Sequence, residues 1–148
     1  MSPVDRDVVQ RKLTRIVQAL ERLRREKQVP LESYLGQPDL QAVLERQLEL
    51  IVGAAVDLNV HLLVQQGHAT PADAFTSFLD LARLVGAIDG ELAAQLAPST
   101  GLRSRLAHAY DEIDPALVHS GLRAALEIYP RYVAAIEAFL ERLEAGQG

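Results

Sequence analysis

The side chains best suited to chemistry lie in one short segment, residues 101–114. In it Arg103 precedes His108 by five positions. The His108 imidazole titrates near neutral pH and could act as a general acid or base, while the Arg103 guanidinium stays charged and binds phosphate in a forked geometry. Ser104 stands one helical turn before the histidine, and Tyr110 follows it by two residues. These residue types suit proton transfer beside a bound phosphate.

Helix geometry limits what one copy of this segment can do. Residues five apart differ by about 140° around a helix of ~3.6 residues per turn, so Arg103 and His108 cannot both point at one phosphate. Ser104 and His108 are one turn apart and can face each other. A plainer interpretation stays open, in which His108 pairs with Glu112 one turn on. Arg103 would then be a surface charge, and Tyr110 would pack at a helix end.

The sequence lacks the signature motifs of other common enzyme classes. The sequence has no nucleophile elbow, no glycine-rich phosphate loop after a strand and no His-Glu-x-x-His motif. It has no cysteine, which excludes a thiolate metal site and a cysteine nucleophile. The histidines follow no familiar ligand spacing, so we expect neither a metal nor a cofactor, and we interpret His61 as a satisfied structural residue. The four histidines are His61, His68, His108 and His119.

Composition points to one all-helical domain spanning residues 1–148. Hydrophobic residues make up 49% of the chain but aromatic residues only 5%, so the apolar content comes from Leu, Ala, Val and Ile. The lack of cysteine fits a reducing compartment, and the cytoplasm is the expected location. Residues 1–7 carry charges rather than an apolar signal, and the longest apolar run, residues 50–56, ends at Asp57. We therefore expect no signal peptide and no membrane span.

The charge is unevenly distributed along the chain. The net charge is −5, and the isoelectric point near 5.3 argues against an extended nucleic-acid footprint. Residues 1–28 nevertheless hold eight Lys/Arg and four Asp/Glu, so they carry +4 and the remainder carries −9. This basic first helix could steer a phosphate chain or an acidic partner, or it could be an ordinary solvated face.

The elements that must position the reactive segment are all predicted to be helices. Apolar residues recur every three or four positions, which is the pattern of amphipathic helices. The predicted fold is an all-α, up-and-down bundle of four main helices plus a short motif helix. The main helices are expected at residues 5–27, 39–66, 70–85 and from 115 onward, with a short helix at 91–96 and the motif helix at 102–110.

Local signals set these predicted boundaries. Asp39 is a plausible cap for the second long helix, and Thr70-Pro71 is a strong start signal for the third. Residues 98–101, Pro-Ser-Thr-Gly, should break the chain before the motif helix. Asp114-Pro115 repeats the cap-then-proline signal at the last helix, and Pro130 should kink or break that helix in its interior.

The reactive segment resembles the R-x4-H-x-Y signature of HepT-type proteins in the HEPN superfamily. It opens with Gly-Leu-Arg at 101–103 and closes with Ile-Asp at 113–114, as those proteins do. Ser104 stands where the family usually has Asn or another strongly polar residue. The resemblance extends over almost the whole chain through Val-Leu-Glu-Arg at 43–46, Asp-Leu-Asn-Val-His at 57–61 and Thr-Pro at 70–71.

The resemblance implies a homodimeric, metal-independent endoribonuclease toxin. His108 would be the general acid/base, Arg103 the phosphate clamp and Ser104 a supporting residue that orients the imidazole. RNA rather than DNA is the expected substrate, because the 2′-hydroxyl is the attacking group. In the family a minimal nucleotidyltransferase antitoxin attaches AMP to the tyrosine that corresponds to Tyr110.

Two other functions remain open from the sequence. The chain could be a non-catalytic HEPN module that binds a nucleotide or the nucleotidyltransferase partner. It could also be a purely structural helical dimer, in which the motif would be a coincidence.

Overall fold

The computed structural model describes residues 4–26, 29–108 and 112–147, and in these ranges every regular element is helical. This confirms the all-α prediction. Three helices are long, with 20, 28 and 33 residues, instead of the four predicted. The elements are α1 (Arg6–Arg25), α2 (Leu31–Leu35), α3 (Pro38–Gln65), α4 (Ala74–Asp80), a π-helical segment (Leu81–Val85), α5 (Gly90–Leu96), α6 (Ser99–His108) and α7 (Pro115–Gln147).

The first helix packs chiefly on α3 and also on α7. Asp5 caps it, because its carboxylate accepts hydrogen bonds from the backbone N–H groups of Asp7 and Val8 at 3.0 and 3.2 Å. Its apolar stripe is fully buried in the core. Two ion pairs attach its polar edges to the neighbouring helices, Arg6 with Glu144 of α7 and Lys12 with Asp57 of α3.

The central helix α3 contacts α1, α2, α4, α6 and α7. It begins with Pro38 in its first turn, and Asp39 lies inside that turn, so the prediction that Asp39 caps the helix is wrong. The helix α3 is also long and apolar enough to cross a membrane, with a mean hydropathy of 1.5. The expectation that no segment has the length and composition of a membrane span is therefore not met by α3. Half of that stretch is buried within the bundle, as in the core helix of a soluble protein.

The third predicted helix begins four residues later than Thr70. Asp73 is its cap, since its carboxylate accepts a 2.7 Å hydrogen bond from the N–H of Thr76. Asp73 can serve the first turn in this way because it precedes Thr76 by three residues. The helix then continues into the π-helical segment, which Gly86 ends in the left-handed region at φ 75°.

A buried polar network joins α3, α4 and α7. The Tyr132 hydroxyl lies 2.7 Å from Oδ1 of Asn59 and 3.1 Å from the carbonyl oxygen of Ala55. The amide of Asn59 donates to Oγ of Ser77 at 3.0 Å, and Ser77 donates to the carbonyl of Ala74. Asn59, Ser77 and Tyr132 have no exposed surface, so these bonds satisfy polar groups that water cannot reach.

The motif helix starts earlier than predicted. The expected break at residues 98–101 is only a tight turn, and α6 begins at Ser99 rather than at residue 102. The Ser99 and Thr100 hydroxyls stabilise the turn, because each donates a 2.7 Å hydrogen bond to the carbonyl oxygen three residues back, at Leu96 and Ala97. These bonds let the chain pass from α5 into α6 without an intervening loop.

The last helix is continuous from Pro115 to Gln147. The predicted cap at Asp114 is confirmed, because its carboxylate accepts a 2.9 Å hydrogen bond from the N–H of Ala116. Of the two predicted effects of Pro130, a kink or a break, the break is wrong. Its neighbours Tyr129 and Tyr132 are fully buried, and their packing holds the helix together where the proline lacks an N–H.

Candidate active site

The motif helix α6 is fixed by two leucines one turn apart. Leu106 is buried in the core with 3% of its surface exposed. Leu102 is half-buried and lies so close to Gly121 of α7 that a side chain there would collide with it. With these two residues facing inward, helix geometry turns Arg103 to one side of α6 and turns Ser104 and His108 away from the core.

Arg103 crosses from α6 onto the surface of α3. A Cβ atom placed on Gly53 would lie 3.5 Å from both Nε and a terminal nitrogen of the Arg103 guanidinium. The arginine therefore rests against the one position of this α3 turn that has no side chain. Arg103 is exposed, and among the described residues it has no hydrogen-bond or ion-pair partner. No described residue thus occupies its donors, which can bind a phosphate.

His108 is exposed at the last residue of α6. No ion pair joins it to Glu112, so the plainer interpretation of a His108–Glu112 pair is not supported within the described ranges. Ser104 is also exposed and makes no hydrogen bond to His108 in this part of the chain. The structure thus brings Ser104 and His108 to the same side of α6 and Arg103 to another.

Carboxylates lie one turn apart along α3 on either side of Gly53. Glu45 is buried, with 7% of its surface exposed, and burial, with a further contribution from the charge of Glu49, raises the pKa of its carboxyl. Glu49 is engaged with Arg46 at 3.7 Å. On the other side, Asp57 is paired with Lys12 at 3.0 Å. Among the described residues, none of these carboxylates pairs with Arg103.

Tyr110 lies outside the described residues, as do Ala109 and Asp111. The other three tyrosines, Tyr34, Tyr129 and Tyr132, have no exposed surface. Burial raises the pKa of Tyr129 and of Tyr132, so both phenols stay protonated. None of these three hydroxyls is accessible to an enzyme that modifies the folded protein.

The remaining histidines do not form a metal site in the described part of the chain, where no three His, Asp or Glu side chains group together. The Nε2 atom of His119 lies 3.0 Å from the carbonyl oxygen of Val29, and its ring contacts Tyr34 at a centroid distance of 5.3 Å. His61 differs from expectation. Its Nε2 is buried and has no hydrogen-bond partner among the described residues, so the interpretation of His61 as satisfied is wrong for this atom.

Gly53 is the residue of this site that the sequence did not indicate. It falls within the apolar pattern of α3, where nothing distinguishes it from a small packing residue. One signal was available, because glycine in a helix interior costs about 0.5–1 kcal/mol relative to alanine and so calls for a reason. The close approach of Arg103 leaves room for a Cβ atom at this position but not for a longer side chain, so it restricts the position to a small residue.

Comparisons with known sequences give matches that cover most of the chain. The family model described as Ribonuclease HepT-like matches residues 16–142. A tRNA nuclease HepT from Aphanizomenon flos-aquae (strain 2012/KM1/D3) is 36% identical over 144 residues, which cover 97% of this chain and 97% of that protein.

Solved structures share the fold at lower identity. A tri-AMPylated Shewanella oneidensis HEPN toxin in complex with its MNT antitoxin superposes with a TM-score of 0.80 at 23% identity, covering 90% of this chain and 99% of that chain. A crystal structure of a toxin–antitoxin with AMP-PNP gives a TM-score of 0.79 at 24% identity, covering 89% and 98%. The chain therefore belongs to the HepT-like ribonuclease family, as its R-x4-H-x-Y segment predicted.

Proposed function

We propose that this protein is an endoribonuclease toxin that acts in the cytoplasm and cuts RNA without a metal ion. The observation that carries the proposal is that Arg103, free of described partners, and the exposed His108 lie on one short helix within the family motif. The relative named as a tRNA nuclease makes tRNA the first substrate to test.

The proposed chemistry uses the RNA's own 2′-hydroxyl. A base removes the hydroxyl proton, the 2′-oxygen forms a bond to phosphorus, and the bond from phosphorus to the 5′-oxygen breaks as an acid protonates that oxygen. His108 supplies the proton-transfer group, and Arg103 stabilises the negative charge that builds on the phosphorus centre. The products are a 2′,3′-cyclic phosphate and a free 5′-hydroxyl.

A homodimer would complete the site. In one copy Arg103 turns toward α3 while His108 turns about 140° away from it, so the two groups do not converge. Toward its two ends, about 15 Å from Gly53 along the axis, α3 also carries apolar residues that the bundle leaves uncovered: Val43 is 37% and Val64 45% exposed. A second copy packed on this surface would bury them and bring two motif helices together.

We also propose Tyr110 as the residue that a nucleotidyltransferase antitoxin modifies with AMP. Burial of Tyr34, Tyr129 and Tyr132 supports this assignment, because it excludes all three tyrosines of the described residues as modification sites in the folded protein. An adenylate two residues from His108 would place phosphate charge where the RNA phosphate must bind. It would inhibit by repulsion and by bulk.

A non-catalytic HEPN module is the alternative function. The absence of a Ser104–His108 hydrogen bond favours it, because an imidazole that nothing orients is a weaker acid/base catalyst. The module would bind RNA or the transferase without cutting.

Expression in bacteria tests the proposal. The chain alone should arrest growth, and co-expression of an adjacent nucleotidyltransferase gene should relieve the arrest. The purified protein should cut tRNA in the presence of EDTA. A protein that binds tRNA or the transferase but cuts no RNA would establish the module instead.

A further inference from the structure

Four arginines form a line along the outer surface of α1. Arg11, Arg15, Arg22 and Arg25 follow one another at intervals of four, seven and three residues. At ~100° per residue they lie within about 80° of one another around the helix axis, on the side opposite the buried stripe. We call these four residues the arginine stripe.

The stripe is not neutralised by the protein. Arg11, Arg15 and Arg25 are exposed and Arg22 is half-buried. None of the four has an ion-pair or hydrogen-bond partner among the described residues. By contrast, Arg24, which lies on another side of α1, forms an ion pair with Glu21 at 2.7 Å. Cations without described partners along one line attract anionic ligands.

A lysine beside the stripe connects α1 to the candidate active site. Lys12 follows Arg11 and reaches from α1 to Asp57 on α3. Asp57 lies one turn, ~6 Å, beyond Gly53, against which Arg103 rests. The helix that carries the stripe is therefore the neighbour of the α3 surface on which Arg103 lies, and Lys12 pairs with the acid nearest to that contact.

The size of the stripe suits a nucleic-acid strand. Arg11 and Arg25 are fourteen positions apart, which is about 21 Å along a helix at ~1.5 Å per residue. Successive phosphates of one strand in a B-form duplex are ~3.4 Å apart along the axis, so a length of this order spans several phosphates of a nucleic-acid strand. An acidic protein would also be attracted, but the guanidinium groups lie along one line, as the phosphates of a strand do, and each can bind a phosphate in a forked geometry.

We propose that the arginine stripe binds the phosphate backbone of the RNA substrate outside the cleavage site. This inference rests on the proposed ribonuclease function and extends it to substrate recognition. The stripe contacts no bases in this arrangement, so it contributes affinity and position rather than sequence preference. It also resolves how a protein of net charge −5 would hold RNA, since the remainder of the chain would repel it.

Binding of a fluorescein-labelled tRNA transcript tests the stripe. The full chain with His108→Ala is titrated at 50–200 mM salt, with and without the added pair Arg11→Gln and Arg15→Gln, both at exposed positions. The pair should raise the Kd about tenfold or more and should reduce the slope of log K against log salt by about 1.5, since each lost phosphate contact removes ~0.7–0.9.

The matched control removes two arginines from other helices and loses the same charge. Arg83→Gln with Arg123→Gln should leave both the Kd and the salt slope within about twofold of the parent. Equal weakening by the two pairs would show that only net charge matters and would overturn the proposal. Normal RNA binding with lost binding to a nucleotidyltransferase partner would overturn it too, because the stripe would then be a protein-docking surface.

Cleavage separates this inference from the proposed function. If the wild-type chain does not cut tRNA but its tRNA binding still depends on Arg11 and Arg15, the ribonuclease function is refuted. The stripe then remains a phosphate-binding surface. If both double variants cut tRNA with the same KM, the proposed role of the stripe is refuted, but the ribonuclease function is not. A short oligonucleotide that spans only the cleavage site should be cut equally well with and without the stripe pair.

Discussion

The guanidinium of Arg103 lies against Gly53, on the helix next to its own. A Cβ atom at Gly53 would be 3.5 Å from Nε, which is an ordinary van der Waals distance, but any longer side chain would occupy the space that the arginine fills. Gly53 is thus a positioning residue for Arg103. It sets where the phosphate clamp of the proposed site can lie.

Two substitutions at Gly53 should therefore separate stability from activity. Gly53→Ala should retain cleavage and raise the free energy of unfolding by about 0.5–1 kcal/mol, because alanine is the better helix residue. Gly53→Leu should displace Arg103 and lower kcat on tRNA about tenfold or more while the protein stays folded. Denaturation and single-turnover cleavage measure the two effects. Equal activity of Gly53→Leu and wild type would refute the positioning role.

The buried network predicts an asymmetry between two tyrosines. Tyr132→Phe should lower the free energy of unfolding by about 1–3 kcal/mol, because Oδ1 of Asn59 loses its 2.7 Å bond in a place without water. Tyr129→Phe should cost less, since Ser99 keeps its 2.7 Å bond to the carbonyl of Leu96. Urea denaturation of both variants checks this. A larger loss for Tyr129→Phe would contradict the assigned hydrogen bonds.

Local signals predicted some helix ends and not others. The Asp114 cap was predicted because this acid directly precedes a proline and an amphipathic stretch. Thr70-Pro71 is as strong a signal, yet Asp73 caps α4 instead. Residues 70–76 thus hold two competing local start signals, and a hydrogen bond from Asn59 of α3 to Ser77, distant in sequence, accompanies the later start. The local pattern alone does not decide between the two signals.

The candidate site, too, could be predicted from the sequence only in part. The residue types at Arg103 and His108 and their spacing were visible in the sequence, and so was the ~140° angle between them. The contact of Arg103 with Gly53 was not, because it depends on how α6 crosses α3. The continuity of α7 through Pro130 was missed for a related reason, since tertiary packing outweighed the local preference of proline.

The buried Glu45 predicts a pH dependence of stability. Its pKa is raised in the folded state by burial and by Glu49. The folded protein therefore binds this proton more tightly than the unfolded chain, and stability should fall as pH rises from 4.5, the ordinary pKa, through the raised folded value. Glu45→Gln should remove this fall and be more stable than wild type at pH 7. Denaturation of both proteins between pH 4 and pH 7 checks the sign, and a variant less stable than wild type at pH 7 would refute it.

The shared-site model predicts that assembly and activity are linked. Light scattering should report a mass of about twice 16.2 kDa at micromolar concentration. Val64→Glu, which charges an apolar α3 residue that is 45% exposed, should weaken the dimer and lower cleavage in parallel without unfolding the chain. A monomer that cuts RNA at the wild-type rate would contradict a site built from two copies.

The central claim is that His108 transfers a proton during RNA cleavage. The most direct measurement is the rate at which His108→Ala cuts tRNA in EDTA, with His68→Ala, a half-buried histidine outside the motif, as the control. His108→Ala should be folded and dimeric but slower by on the order of 10²-fold or more, and His68→Ala should cut at the wild-type rate. Undiminished cleavage by folded His108→Ala protein would contradict the proposed mechanism.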